Sequence, residues 1–134
     1  MSNLIDLLLE VDEEKVLAVP EKDFEINRLS VITGKPFLIT IKALTSAKFE
    51  QIEKTCRDNK GGIDGNKLNS LIVLDSVYTG EEKLFRNKDL KEKYKVPTPK
   101  DLVEKMLLVG EIATISKIVT DLMGFEKGVE EIKN

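Results

Sequence analysis

Apolar residues near the start of the chain recur at helical spacing. They are Leu4, Ile5, Leu8 and Val11, and acidic side chains lie outside this stripe. The spacing predicts a short helix that Ser2 caps. A helix of two turns is marginal in water on its own, so it docks either on its own domain or on a partner protein. The acidic residues 12–23, which include Pro20, predict a linker.

Two runs further along the chain alternate apolar and polar residues, as half-buried strands do. The first is Phe24-Glu25-Ile26-Asn27-Arg28-Leu29 and the second is Phe37-Leu38-Ile39-Thr40-Ile41. Gly34, Lys35 and Pro36 lie between them and predict a turn. The two runs therefore predict an antiparallel hairpin, and a two-stranded hairpin needs helices to cover it.

Helical spacing of apolar residues returns after the hairpin. The candidate N-caps of these helices are Thr45, Asp64, Asn87 and Thr98. The start at Thr98 is the clearest, because Pro99 takes the first helical position and Asp101 lies three residues after the cap. We expect this helix to end at Gly110, and a last long helix to run from Glu111 to Gly124.

These elements predict an α+β, helix-dominated fold. A small antiparallel β-hairpin near the N-terminal third is expected to pack against about four to five helices. The length of 134 residues and the mass of 15.1 kDa fit one domain. We expect a short helix with an acidic linker in residues 1–23, a single globular domain in residues 24–125, and a charged tail in residues 126–134.

The composition excludes most catalytic chemistry. The chain has no His, which rules out His-dependent nucleophilic sites and His-ligated metals. Its single Cys, Cys56, lies on the apolar side of a predicted helix and is expected to be a core thiol. Pro36 stands where a phosphate-binding loop needs Ser or Thr, and Asn69 stands where a calcium loop needs Glu. We therefore expect no enzyme, no cofactor and no catalytic or metal-binding residue.

The charge is distributed unevenly along the chain. Residues 1–25 carry eight acidic and two basic side chains, a net charge of −6, and the remaining residues carry +3. Acidic residues are interspersed with the lysines of residues 83–95, which favours a solvated face over a nucleic-acid-binding surface. No run approaches the ~20 apolar residues of a membrane span, and residues 4–9 lack the basic start of a secretion signal. We expect no nucleic-acid partner, no membrane and a cytoplasmic location.

The order of these segments resembles a known family. After the acidic, Leu-rich start come the run at 24–29, Thr33-Gly34-Lys35-Pro36-Phe37, and Ala43-Leu44-Thr45 before a helix with Phe49. The most specific block begins Thr98-Pro99-Lys100-Asp101-Leu102, continues through Val109-Gly110-Glu111 and ends Leu122-Met123-Gly124-Phe125. Over about residues 4–125 the chain resembles the XkdN-like tail assembly chaperones encoded by phages and prophages of Gram-positive bacteria.

The resemblance implies a non-enzymatic part in building a long phage tail in the bacterial host cell. Such a chaperone binds the tape-measure protein, a long helical and apolar rod, and keeps it soluble until tail-tube subunits displace the chaperone. The resemblance also implies a longer form, made by ribosomal frameshift, that recruits the tail-tube protein. The alternative is a structural tail-completion or adaptor protein that stays in the virion. Self-association is left open, because rings or spirals along a rod and an isolated monomer are equally compatible.

A protein that binds and later releases an apolar rod needs exposed apolar surface. The candidate partner-binding residues are Leu4, Ile5 and Leu8 in the N-terminal helix and Leu107, Leu108, Val109 and Ile112 around Gly110. Leu108 and Val109 are included because they continue an apolar run past the stripe of their helix. Ordinary core packing is the competing interpretation of these positions.

Overall fold

An antiparallel sheet and a set of helices share one apolar core. The computed structural model describes residues 3–125 and 128–132. The elements, in chain order, are α1 (Leu4–Glu10), α2 (Glu13–Leu17), β1 (Glu21–Glu25), α3 (Asn27–Thr33), β2 (Leu38–Lys42), α4 (Ser46–Cys56), α5 (Gly65–Ser76), β3 (Val77–Thr79), β4 (Glu82–Lys83), a 3₁₀ turn (Leu84–Arg86), α6 (Lys88–Lys93), α7 (Pro99–Met106) and α8 (Val109–Leu122). The predicted α+β, helix-dominated class is confirmed, with eight α-helices within the described residues.

The sheet has four strands in the order β1-β2-β3-β4, so it contains two strands more than the predicted hairpin. β1 and β2 pair antiparallel, as predicted, with Glu21 opposite Lys42 and Glu25 opposite Leu38. β3 follows α5 directly and pairs with β2, and a turn at Gly80 leads into β4. A strand of two or three residues is too short for alternation to be visible in a sequence, so β3 and β4 were not predicted.

The predicted strand over 24–29 is wrong in its second half. β1 ends at Glu25, and α3 begins at Asn27. Ile26 and Leu29 are three residues apart and both are buried, a spacing that serves one face of a helix as well as a short alternating run. Gly34 adopts φ 76° and ends α3, with its N–H donating to the carbonyl of Ser30. A helix therefore connects β1 and β2 in place of the predicted long loop.

The helix ends follow the predicted caps in most places. Thr45, Asp64, Asn87 and Thr98 each accept a hydrogen bond from a backbone N–H of the following turn. Ser2 lies outside the described residues, and the side chain of Asn3 caps α1. α7 ends at Met106, not at the predicted Gly110, which lies in the first turn of α8.

The two terminal segments differ in how far the structure describes them. The predicted linker over residues 12–23 contains α2 and the first half of β1. The predicted tail over residues 126–134 falls partly outside the described residues, which include only 128–132 of it. None of the helices within the described residues has the length and hydropathy of a membrane-spanning helix.

The core is built from aliphatic side chains, as a chain with few aromatic residues requires. Its fully buried members are Ile41, Ile72, Val73, Val77, Phe85, Leu102, Val103 and Val119. These residues come from β2, α5, β3, the 3₁₀ turn, α7 and α8, so one core joins elements from residue 41 to residue 119.

One carboxylate is buried among cations. The side chain of Asp75, in the last turn of α5, is 4% exposed and accepts hydrogen bonds from Lys83 Nζ at 3.1 Å and Arg86 Nη2 at 3.0 Å. Lys48 Nζ lies 3.5 Å from its other oxygen. Burial alone would raise the pKa of Asp75, but the hydrogen bonds and charges of Lys83 and Arg86 together outweigh burial and hold the pKa below its ordinary value.

Replacing Asp75 by asparagine is expected to lower the free energy of unfolding at neutral pH by about 1.5–3 kcal/mol, the usual value of hydrogen bonds to a charged group. The carboxylate stabilises the wild type fully above about pH 4, and this contribution is lost as the pH falls through the lowered folded-state pKa. Asparagine does not titrate, so the loss of stability on acidification should be shallower in the variant.

Urea unfolding at pH 7 and between about pH 2 and pH 4 measures both effects. Asp121→Asn is the matched control, because Asp121 forms an exposed i,i+4 pair with Lys117 on α8. Its unfolding free energy should stay within about 0.5 kcal/mol of wild type. Parallel acid profiles for wild type and Asp75→Asn would contradict the assignment.

Candidate functional site

An open apolar groove of about 880 Å³ lies between the sheet and α8. Its floor and walls are formed by Phe24, Ile26, Ile39 and Ile41 on the sheet side and by Ile115 and Ile118 of α8. At one edge the groove is bordered by Leu108, Val109 and Gly110, where α8 begins. We call Leu108 and Val109 the lip of the groove.

The groove follows from two periodicities that meet at this place. In β1 and β2, Phe24 pairs with Ile39, and Ile41 projects from the same face two residues further on. In α8, Ile115 and Ile118 lie three residues apart and so share a helix face. Ile39, Ile41 and Ile115 are buried, whereas Phe24 and Ile118 are half-buried. The groove therefore has a buried floor and partly exposed walls, all apolar.

A part-buried ion pair joins the two walls. Arg28, in α3, donates from Nε to Oε2 of Glu111 at 3.0 Å and from Nη2 to Oε1 at 2.9 Å. Nη2 also donates to the carbonyl oxygen of Met106 at 2.7 Å, which ties the end of α7 to α3. The hydrogen bonds from Arg28 hold the pKa of Glu111 below its usual range, so Glu111 is charged at neutral pH. The charges are paired with each other and leave the apolar floor uninterrupted.

The lip is positioned by the same glutamate. Oε1 of Glu111 accepts a hydrogen bond from the backbone N–H of Leu108 at 2.8 Å, which starts α8 three residues before Glu111. Leu108 and Val109 are 56% and 74% exposed. Their side chains extend the apolar surface of the groove outward into solvent.

The structure separates the predicted binding residues around Gly110 into two pairs. Leu108 and Val109 form the lip, whereas Leu107 and Ile112 are buried in the core. Leu107 and Ile112 flank the α7–α8 junction and also line a smaller cavity of about 210 Å³ on α8. Their place in the core supports the lip and leaves little of their own surface for a partner.

The predicted binding residues of the N-terminal helix are all exposed. We call residues 3–17, which contain α1 and α2, the N-terminal arm. None of the residues of α1 or α2 is buried, and Leu4, Ile5 and Leu8 are 76%, 67% and 62% exposed. The structure therefore does not bring the arm into the groove of its own chain.

Several residues of the site were not predicted from the sequence. The half-buried wall residues Phe24 and Ile118 were assigned to strand and helix cores, and Arg28 was assigned to a strand. The exposed leucines Leu7 and Leu9 also belong to the apolar surface of the arm. The available signal for these two was the near absence of polar residues between positions 4 and 9, which exceeds what a helix docked by one stripe requires.

The described residues outside the groove offer no competing chemical site. Cys56 is buried, and burial raises the pKa of its thiol, which is therefore protonated at neutral pH. Within residues 3–125 and 128–132, no three Cys, Asp or Glu side chains are grouped as metal ligands would be. The groove and the arm are thus suited to contact another polypeptide through apolar side chains.

Comparison with known proteins places this architecture in a family. The family model described as "Phage XkdN-like tail assembly chaperone protein, TAC" matches residues 5–134. The chain is 26% identical over 132 residues to the phage-like element PBSX protein XkdN of Bacillus subtilis strain 168, covering 86% of this chain and 87% of that protein. The crystal structure of the protein yqbn has the same fold, with a TM-score of 0.64 at 22% identity, covering 82% of this chain and 89% of that chain. The chain therefore belongs to the XkdN-like family of phage tail assembly chaperones.

Proposed function

We propose that the chain binds the tape-measure protein of its phage or prophage and keeps it soluble until tail-tube subunits assemble around it. The observation that carries this proposal is the apolar groove with its exposed lip, in a member of a tail assembly chaperone family. A groove of this kind accepts an amphipathic helix through side chains that repeat every three or four residues. A long, apolar, helical rod would present such side chains along its length.

The arm supplies the second contact in this proposal. Its leucines are exposed and its residues 3–17 carry five acidic side chains against one basic. A helix of the tape measure would lie in the groove while the arm covers its outer side, and the acidic residues of the arm would keep the covered rod soluble. A longer frameshifted form would place the tail-tube protein beside the covered rod, and the complex would act in the cytoplasm of the bacterial host.

The contact must also be reversible, and the exposed area fits that requirement. The lip consists of two side chains and the apolar stripe of α1 of three or four, so each site on the rod is held by a modest area. Modest apolar contacts give affinities that a competing, larger interface can overcome. Tail-tube subunits would then replace the chaperone without a chemical step.

Co-expression with the tape-measure protein of the same phage or prophage tests the proposal. We expect the tape measure to become soluble and to co-purify with the chaperone in a fixed ratio. An insoluble tape measure beside a folded, unattached chaperone would contradict the proposal. Mass spectrometry of purified tails is the accompanying control, since a structural tail component would remain in the finished particle and a chaperone would be absent from it.

A further inference from the structure

The arm and the groove are two apolar surfaces of one chain, and neither covers the other. The arm carries eight exposed apolar side chains, which are Leu4, Ile5, Leu7, Leu8, Leu9, Val11, Val16 and Leu17. The groove offers an apolar floor and an exposed lip to solvent. Exposed apolar surfaces of this extent are usually covered by a partner.

We propose that, in the absence of a tail partner, α1 of one copy docks in the groove of a second copy of this chain. The apolar stripe of α1, formed by Leu4, Ile5 and Leu8, would lie along Phe24 and Ile118, and the lip would close against its side. The inference rests on the proposed function only in using the same groove, because both halves of the contact belong to this chain.

The edge of the sheet favours docking through a helix over docking through a strand. β1 is an edge strand of the four-stranded sheet, and its free edge could in principle accept a strand from another chain. Four of its five residues are charged, which are Glu21, Lys22, Asp23 and Glu25. Charged edge strands resist pairing with further strands, so the groove beside β1 is the better place for an apolar segment.

The direction of β1 favours a second copy over the same chain. The arm enters the sheet at Pro20, whose carbonyl accepts a hydrogen bond from the N–H of Ala43 at 2.9 Å. β1 then runs toward Glu25 and Arg28, which border the groove, so the arm leaves from the far end of the strand, roughly 15 Å away. An arm that reached its own groove would have to reverse direction beside the strand, whereas the groove of a second copy requires no reversal.

The available area matches what a specific contact needs. Each aliphatic side chain removes roughly 100 Å² of apolar surface from water when it is buried, so the eight exposed side chains of the arm offer about 800 Å². Specific protein–protein interfaces bury about 800 Å² on each partner. α1 alone supplies five of these side chains, and the rest lie close enough to pack around the lip.

A contact between an arm and a groove joins two different surfaces, so it is heterologous. Each copy that gives its arm keeps a free groove, and each copy that receives an arm keeps its own arm free. Association therefore continues into open chains or closed rings, and it is concentration-dependent. Blocking one surface on each of two variants should stop the growth at a pair.

Two variants make this test, and both place aspartate in the first turn of a helix, where the helix dipole favours an acid. Ile5→Asp removes an apolar side chain from α1 and leaves the groove intact. Val109→Asp places a charge on the lip and leaves the arm intact. Each variant alone should associate roughly 100-fold more weakly than wild type, because a carboxylate is costly to bury among apolar side chains. Sedimentation velocity over a range of concentrations gives the masses, with 15.1 kDa for one chain.

An equimolar mixture of Ile5→Asp and Val109→Asp should form a complex of two chains and no larger species, because one intact arm meets one intact groove. Val31→Asp is the control, since Val31 is 83% exposed and lies outside the groove and the arm, and it should associate like wild type. A wild-type protein that remains a monomer at all concentrations would overturn the inference, as would a mixture that stays monomeric or variants that associate undiminished. These experiments contain no tape-measure protein, so their failure is distinguishable from failure of the proposed function.

Discussion

Replacing Leu108 by aspartate is expected to leave the chain folded and to abolish the soluble complex with the tape-measure protein. Leu108 is 56% exposed and precedes the first residue of α8, a position where aspartate is a favourable N-cap. The same side chain lies at the lip of the groove, where an apolar rod would surround the new carboxylate and leave it without water. The measurement is the fraction of tape-measure protein that stays soluble and co-purifies on co-expression.

The control for this variant is Leu38→Asp. Leu38 is 63% exposed and lies in β2, but it projects from the opposite face of the sheet from Ile39 and Ile41. It should solubilise the tape measure as wild type does. We expect Leu8→Lys in the arm to weaken the complex as well, with a cation that suits the last turn of α1. Undiminished co-purification by Leu108→Asp, or an unfolded variant, would contradict the assignment of the lip.

Replacing Phe85 by alanine is expected to lower the free energy of unfolding by about 3–5 kcal/mol, the usual cost of removing a buried aromatic ring. Phe85 is 1% exposed and lies in the 3₁₀ turn, which packs against both β3 and α7. The cavity would therefore open between the sheet and a helix that ends close to the groove. Urea unfolding followed by circular dichroism measures the loss.

Phe125→Ala provides the comparison for Phe85. Phe125 is half-exposed at the end of α8, with its ring 6.1 Å from that of Phe49, and its removal should cost less than about 1 kcal/mol. Equal losses for the two variants would show that the 3₁₀ turn is not part of the core. A large loss confined to Phe85→Ala would confirm that this short turn holds the sheet to α7.

The sequence predicted best those elements whose signals are local. Thr98 and Pro99 specify the start of α7 by themselves, since a cap hydrogen bond and a fixed φ need no tertiary contact. The residues 26–29 were assigned to a strand, because two apolar residues three apart fit both periods over so short a run. Helix α3 was decided by the left-handed Gly34 and by burial of Leu29, and the second of these depends on the rest of the fold.

The binding surface was predictable only in part, for a similar reason. The exposed arm and lip were accessible because Leu8 and Leu108 extend apolar runs beyond what one helix face requires. The groove was not, because its walls are brought together by the pairing of β1 with β2 and by Arg28 meeting Glu111, 83 positions later in the chain. Pairings between distant residues leave no periodic signal in a single sequence. The Asp75 cluster was missed on the same ground, since its cations lie on three different elements.

The distance along the chain between the two walls of the groove also sets an order of events during synthesis. The arm leaves the ribosome first, while the groove is incomplete until α8, about 100 residues later, has emerged. At the usual speed of translation this interval lasts roughly 5–20 s. During that time each nascent chain displays its leucines with no finished receptor of its own, and completed copies nearby are the first molecules able to cover them.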